Sequence, residues 1–119
     1  MALHIYRVTV RGFFTDLSPD TRARLLADVE DHDALHAAFT EAGTLTYDRT
    51  LAAFSFRVQL RVQTDGGGDD RDLADARAEE LGLELAAARL AELGAPAKRL
   101  RVTTSNMADV WRRQPDLRA

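Results

Sequence analysis

The chain has 119 residues, a length that suits one domain able to bury its own core without a metal ion or a disulfide. It contains no cysteine, which excludes disulfide scaffolds, cysteine-ligated zinc sites and thiol catalysis. The formal net charge of −3 predicts no bulk attraction to nucleic acid, and no apolar run reaches the roughly 18 residues of a membrane span. The N-terminal residues also lack the apolar core of a secretory signal, so we expect a cytoplasmic protein that does not bind a membrane.

The first half of the chain predicts one strand and an interrupted helix. Residues 3–14 alternate between polar and apolar side chains, which is typical of a strand whose buried face carries Tyr6, Val8 and Val10. Ser18 before Pro19 predicts the start of a helix, because serine is a favoured N-cap and proline suits the first helical position. The acidic stretch 30–33 is expected to interrupt this helix before a second one, which contains Leu35, Ala38 and Phe39.

The second half predicts three more strands and a long helix. Residues 44–48 form a short strand, and residues 54–63 alternate so regularly that they predict a strand with one dry and one wet face. After a glycine-rich loop at 65–69, a helix runs to Gly94. Residues 99–104 alternate again and form the last strand. The long helix is expected to pack through an apolar stripe made of Ala74, Ala78, Leu81, Leu85 and Ala88.

The order of these elements predicts the fold class. Strand, helix, strand, strand, helix and strand, joined by right-handed crossovers, give an α+β, ferredoxin-like βαββαβ domain over residues 1–104. Its four-stranded antiparallel sheet takes the order 4-1-3-2, with both helices on one face. Residues 105–119 form a C-terminal tail, where the spacing of Met107, Val110 and Trp111 predicts a short helix. We expect Trp111 to anchor this tail, either on the same chain or on a second subunit.

Arginines gather on the sheet face that the helices leave uncovered, called the open face below. Fifteen arginines accompany a single lysine, Lys98, a bias that a GC-rich genome also produces. Because a guanidinium pairs well with carboxylate and phosphate groups, the arginines on this face are candidate ligands for an anion. The alternative is a solvated face whose arginines extend into water. Alternation within the first, third and fourth strands directs six of them there: Arg7, Arg11, Arg57, Arg61, Arg99 and Arg101.

Two histidines are the candidate catalytic residues. His32 and His36 lie four positions apart, which places both on one face of a continuous helix, as an acid or base and its orienting partner would require. The alternative is that they cap a kinked helix or face solvent. A metal site needs a third ligand, and none lies nearby at suitable spacing, so we predict no bound metal and no cofactor. The Gly66–Gly68 run lacks the lysine of a phosphate loop and is flanked by aspartates, which favours a flexible connection.

Three segments resemble a known family. These segments, Tyr6–Gly12, His32–Phe39 and Leu45–Asp48, are together similar to a family of small, uncharacterised actinobacterial proteins. The order of elements also resembles the dimeric α+β barrels, in which two sheets pack face to face and whose members include cofactor-free monooxygenases and polyketide cyclases. The first resemblance implies no activity, and the second is one of topology, so no catalytic residue is carried over from either.

These observations leave three hypotheses of function. The first is a binding module whose arginine-rich open face receives an anionic small molecule or an acidic partner. The second is a cofactor-free natural-product enzyme, cyclase-like or monooxygenase-like, that uses His32 or His36 as an acid or base. The third is a nucleic-acid-binding domain. It has the least support, because Phe54 and Phe56 are expected to point into the core and leave the open face without stacking aromatics.

Apolar residues on the open face predict self-association. Leu3, Ile5 and Phe13 follow the same side of the first strand as the arginines, and the outer strands of an open sheet keep unpaired backbone groups. We therefore expect a homodimer, since two-fold dimers are the commonest oligomers.

Overall fold

A computed structural model describes residues 2–109 of the chain. Residues 107–109 begin a helical turn, while Val110, Trp111 and the remainder of the predicted tail helix lie outside the described residues. The elements in chain order are β1 (Ala2–Phe14), α1 (Pro19–Ala27), two 3₁₀ turns (Val29–His32 and Ala34–His36), β2 (Thr44–Tyr47), β3 (Ala53–Thr64), α2 (Asp70–Leu93) and β4 (Ala97–Asn106).

The four strands form one antiparallel sheet in the order β2-β3-β1-β4. This is the predicted order read from the opposite edge, so the α+β topology inferred from the handedness of the crossovers is confirmed. β1 and β3 occupy the centre and pair along nearly their whole length, from Ala2 opposite Thr64 to Phe13 opposite Ala53. β4 continues to Asn106, beyond the predicted end of the last strand at residue 104.

The apolar side chains of the two central strands face α2 and form the core. Tyr6, Val8 and Val10 of β1 are fully buried, as their alternation with polar residues predicted. A fully buried aliphatic or aromatic side chain contributes about 1.5–3 kcal/mol to stability, so these strands supply much of the folding free energy. The matching residues of β3 are also buried: Phe54, Phe56, Val58, Leu60 and Val62.

α2 packs against the sheet through a stripe that agrees with the predicted one only in the first half of the helix. Of the predicted stripe, Ala74 and Ala78 are buried as expected, Leu81 is half-buried, and Leu85 and Ala88 are exposed. The buried residues recur every four positions and are mostly small: Ala74, Ala78, Gly82, Ala86 and Leu90. The helix lies so close to β1 that a Cβ at Gly82 would stand 2.5 Å from Val8 Cγ1. The prediction was wrong in the second half of the helix, because hydrophobicity ranks leucine above alanine and glycine, whereas close packing selects side chains that fit.

Segment 28–43 contains two 3₁₀ turns in place of the predicted second helix. α1 ends at Ala27, and the side chain of Asp33 accepts a hydrogen bond from the Leu35 N–H at 2.8 Å to start the second turn. Leu35, which was predicted to lie in that second helix, is 92% exposed. Aspartates offer the local backbone an alternative to helical hydrogen bonds, and this explains why the acidic stretch ends the helix instead of kinking it.

α1 is attached to the C-terminal end of α2. Its N-cap is Ser18, as predicted, and Leu25 is buried in the core. Thr21 Oγ1 donates to the Gly94 carbonyl at 3.4 Å, and an Arg24 Nη2 donates to the Leu93 carbonyl at 3.2 Å. These bonds satisfy carbonyls that the end of a helix leaves without intrahelical partners, and they hold the two helices together.

Candidate functional site

A cleft of about 690 Å³ opens on the open face, at the end of the sheet where β1 finishes and β3 begins. The central strands form its floor, Asp33 and Ala34 of the second 3₁₀ turn form one side, and β4 forms the other. This volume lies within the roughly 300–1,000 Å³ that small-molecule sites usually have. Four of the six predicted arginines line it: Arg11, Arg57, Arg99 and Arg101.

The register of the sheet brings three of these guanidiniums to one patch. Arg11 of β1 stands directly opposite Arg101 of β4. Arg57 of β3 stands opposite Thr9. Thr9 and Arg11 are successive residues on the same face of β1, so Arg57 and Arg11 are diagonal neighbours. Opposite residues have Cβ atoms about 4.5–5.5 Å apart and diagonal ones about 7–8 Å apart, so the three side chains can reach one anion.

Arg99 enters the cleft through a β-bulge. β1 and β4 pair in step as far as Arg11 opposite Arg101, but Phe13 then pairs with Lys98, which leaves one extra residue on β4. Arg99 has a φ of 56°, in the left-handed region that costs a non-glycine residue about 1–2 kcal/mol. The alternation predicted for residues 99–104 therefore breaks at Arg99, because a bulge redirects the side chains that follow it.

These four arginines lack a carboxylate partner among the residues that the structure describes. Within residues 2–109, no carboxylate forms an ion pair with any of them. An Nη1 of Arg57 donates to the hydroxyl of the buried Thr46 at 3.2 Å, a bond that holds this guanidinium in place. Like charges that face one another across a sheet repel, so an anion between them would remove an unfavourable interaction.

The other two predicted arginines lie on the open face but do not line the cleft. Arg7 Nε donates to Gln59 Oε1 at 3.5 Å, and the Arg7 guanidinium carbon lies 5.4 Å from the centre of the Phe39 ring. Arg61 forms an exposed ion pair with Glu41 at 3.7 Å. The predicted patch of six is thus divided into four arginines at the cleft and two with protein partners of their own.

Two aspartates line the cleft on the β2 side. Asp33 Oδ1 accepts the Leu35 N–H, and Asp48 Oδ1 accepts the Thr50 N–H at 2.9 Å and the Thr50 hydroxyl. The bonds from Thr50 lower the pKa of Asp48, so its carboxylate is charged at neutral pH. Both aspartates were missed as site residues, because they lie in turns and periodicity does not say where a turn passes over a sheet.

The two histidines do not share the face of a continuous helix, so that premise of the catalytic hypothesis is wrong. The His32 ring stacks on Tyr47 with centroids 5.0 Å apart, and its Nδ1–H donates to the Asp28 carbonyl at 3.0 Å. His36 belongs to the next 3₁₀ turn and is exposed. Neither imidazole lines the cleft.

A polar cluster around His4 joins three elements at the opposite end of the sheet. His4 Nε2 lies 2.6 Å from Asp70 Oδ2 at the start of α2, and Nδ1 lies 3.4 Å from Asn106 Nδ2 at the end of β4. Asn106 Oδ1 accepts the Ala108 N–H at 2.9 Å, so its amide nitrogen must face His4. His4 Nδ1 is therefore the acceptor, and the proton sits on Nε2, directed at Asp70.

This cluster is structural, because both ring nitrogens of His4 are occupied by protein groups. A hydrogen bond from Thr64 and the pairing with His4 lower the pKa of Asp70. The sequence carried a signal for it: His4 falls on the same side of β1 as the buried Tyr6, where a polar residue needs partners.

The described residues contain neither a metal cluster nor a membrane-spanning helix. Within residues 2–109, no three histidine, aspartate or glutamate side chains are grouped so as to hold a metal ion. In the same range, no helix is both long and apolar enough to cross a bilayer.

The whole of this architecture falls within one sequence family. Residues 1–117 match a family of unknown function, DUF6204. No curated protein and no solved structure matches the chain. The matched range includes all four strands and every residue of the cleft. The chain therefore belongs to DUF6204, a family of unknown function.

Proposed function

We propose that the protein is a binding module for a small anionic molecule, held in the cleft between Arg11, Arg57 and Arg101. The observation that carries this proposal is the convergence of four guanidiniums on one cleft of ligand size, without an ion pair to a carboxylate in residues 2–109. The net charge of the protein is −3, so an anion is attracted to the positive charge at this cleft more than to the rest of the surface.

An anion needs contacts with several arginines at once, because a single contact contributes too little binding free energy. One exposed ion pair contributes about 0.2–1 kcal/mol, whereas a hydrogen bond to a charged group in a more enclosed site contributes about 1.5–3 kcal/mol. A Kd of about 1 mM requires about 4 kcal/mol of binding free energy, which one exposed contact cannot supply and several converging contacts can. Arg57 supports this arrangement best, because its bond to Thr46 already limits its motion.

Backbone strain at the cleft also supports a ligand site. Arg99 keeps an unfavourable left-handed conformation although glycine would adopt it freely. Strained residues of this kind cluster at ligand sites, where the strain positions a group for binding.

The two alternative functions have less support. An acid–base enzyme would need His32 or His36 beside a cavity, and neither lines the cleft. A nucleic-acid interface would need several stacking aromatics on the open face, but Phe54 and Phe56 are 3% and 1% exposed and belong to the core. Among residues 2–109 this face offers the exposed Phe13 and the half-buried Phe39, which lies beside the Arg7 guanidinium.

Calorimetric titration of the full chain with phosphate, citrate and a short RNA tests the proposal. We expect phosphate or citrate to bind with a Kd at or below about 1 mM, and Arg57→Gln to weaken that binding about tenfold, because it removes a charge-assisted contact. Added salt should weaken binding as well, since the groups are partly exposed. The matched control is Arg22→Gln, which removes an equal charge from α1, away from the cleft.

Two results would overturn the proposal. One is the absence of any anion that binds more tightly than about 1 mM. The other is equal binding by Arg57→Gln and Arg22→Gln, which would make the arginines of the cleft a solvated surface. Tight binding of RNA alone would favour the nucleic-acid alternative.

We also propose that the protein is a cytoplasmic homodimer of actinobacterial origin. Its high arginine and alanine content supports a GC-rich genome. Leu3 and Phe13 on the open face are 53% and 44% exposed, and Leu100 on β4 is 41% exposed, which supports self-association. Light scattering at tens of micromolar should give the mass of a dimer, and the mass of a monomer at that concentration would contradict it.

A further inference from the structure

We infer that the ligand of this cleft is dipolar, with an anionic group held by the arginines and an ammonium group held by Asp33 and Asp48. The inference rests on the proposed function and narrows its ligand from any small anion to amino-acid-like zwitterions.

The two aspartates lie on the opposite side of the cleft from Arg11 and Arg101, while Arg57 of β3 lies between the two groups, with its Nη1 bonded to Thr46 of β2. Asp48 directly follows β2, and Asp33 lies in the turn packed beside that strand. Arg11 and Arg101 lie on β1 and β4, beyond the intervening β3. Neighbouring strands are about 4.8 Å apart, so about 10 Å separates the β2 side from β1. The cleft therefore has a negative end and a positive end at a distance that one small molecule can span.

The aspartates keep an acceptor available for a ligand. Each uses Oδ1 for hydrogen bonds within its own turn, and no hydrogen bond or ion pair with residues 2–109 involves either Oδ2. The aspartates and the arginines line the same cleft, but no ion pair joins an aspartate to an arginine of the cleft within residues 2–109. An ammonium group has three donors and no acceptor, so it matches two carboxylates that each offer an oxygen.

Apolar surface lies between the charged ends. Ala53 of β3 stands opposite Phe13 of β1 on the floor of the cleft, and Ala34 contributes to its side. Carbon chains and rings gain free energy when they cover such surface, at about 25 cal/mol per Å² of apolar area. The cleft thus suits a ligand whose two charged groups are joined by an apolar spacer.

A pair of matched probes tests the inference. 6-Aminohexanoate and hexanoate share a carboxylate and an apolar chain and differ in the terminal ammonium, and both are titrated calorimetrically into the full chain. We expect 6-aminohexanoate to bind about tenfold more tightly, because it adds contacts to two carboxylates. Asp33→Asn with Asp48→Asn should remove most of this advantage, so that the ratio of the two Kd values falls towards one. Asp65→Asn, which removes an exposed charge outside the cleft, should preserve it.

The possible results separate this inference from the proposed function. A protein that binds phosphate or citrate in an Arg57-dependent way but gains nothing from the ammonium overturns the inference and leaves the proposed function standing. A protein that binds no anion overturns both. An advantage for 6-aminohexanoate that survives in the double aspartate variant also overturns the inference, because another group would then hold the ammonium.

Discussion

Replacement of Gly43 by alanine is expected to lower the free energy of unfolding by about 3 kcal/mol, from two independent causes. Gly43 has a φ of 90°, and a side chain in this region costs about 1–3 kcal/mol. A Cβ there would also clash with the Phe56 ring, at Cζ. Because Phe56 is 1% exposed, its ring cannot move aside without disturbing the core, and overpacking of this kind costs about 1–3 kcal/mol.

Urea unfolding of the Gly43→Ala variant measures this loss. Gly67→Ala is the matched control, since a Cβ at Gly67 meets nothing within 4 Å and its φ is not in the left-handed region. We expect the control to stay within about 0.5 kcal/mol of the natural sequence. Equal stability of the two variants would show that the turn before β2 is not built as described.

Alkaline pH is expected to unfold the protein through its two tyrosines. Burial and the hydrogen bond to Asp75 raise the pKa of Tyr6 to about 12, and burial together with Asp28 and Asp31 raises the pKa of Tyr47 to about 12. In the unfolded chain both ionise near pH 10. The folded state therefore retains protons that the unfolded state loses, so stability is complete below about pH 10 and falls as the pH rises from 10 to 12.

Ultraviolet absorbance can follow this directly, because Tyr6 and Tyr47 are the only tyrosines in the chain. The absorbance of tyrosinate should appear at the same pH at which the circular dichroism of the folded protein is lost. It should not appear at about pH 10 while the protein is still folded. Tyr6→Phe and Tyr47→Phe should each reduce the steepness of the alkaline loss. Tyr47→Phe should also destabilise at neutral pH by about 1 kcal/mol, because it removes the 2.7 Å bond to the Leu25 carbonyl. Free ionisation near pH 10 without unfolding would contradict the burial of both phenols.

The sheet could be predicted because its signals are local. Period-two alternation places Tyr6 and Val8 on one face and Arg7 on the other, whatever the rest of the chain does. Handedness of the crossovers then reduced the possible strand orders to the one observed. The ends of α2 were predicted for the same reason, since Gly94 adopts the left-handed conformation that a helix C-terminus favours.

The features that could not be predicted depend on how helices, strands and turns pack against one another. Glycine is needed at position 82 on the packing face of α2, because a Cβ there would stand 2.5 Å from Val8 Cγ1. This close approach is a feature of tertiary packing that hydrophobicity does not encode. The position of Arg99 in the cleft depends on the bulge in β4, and the position of Asp33 depends on where its turn passes over the sheet. Alternation therefore predicted which face carries the arginines, but only the structure grouped four of them around one cleft.

The central position of β1 has a consequence for how the chain folds. β1 is synthesised before either of its partners, β3 and β4, and contacts between such distant segments form slowly, in milliseconds to seconds for sheet-rich domains. During that interval an unpaired strand with one apolar face can add to strands of other chains. Arg7 and Arg11 alternate with its apolar residues, and charges placed in this way oppose such addition. The same side chains thus protect the nascent chain from aggregation before any sheet exists.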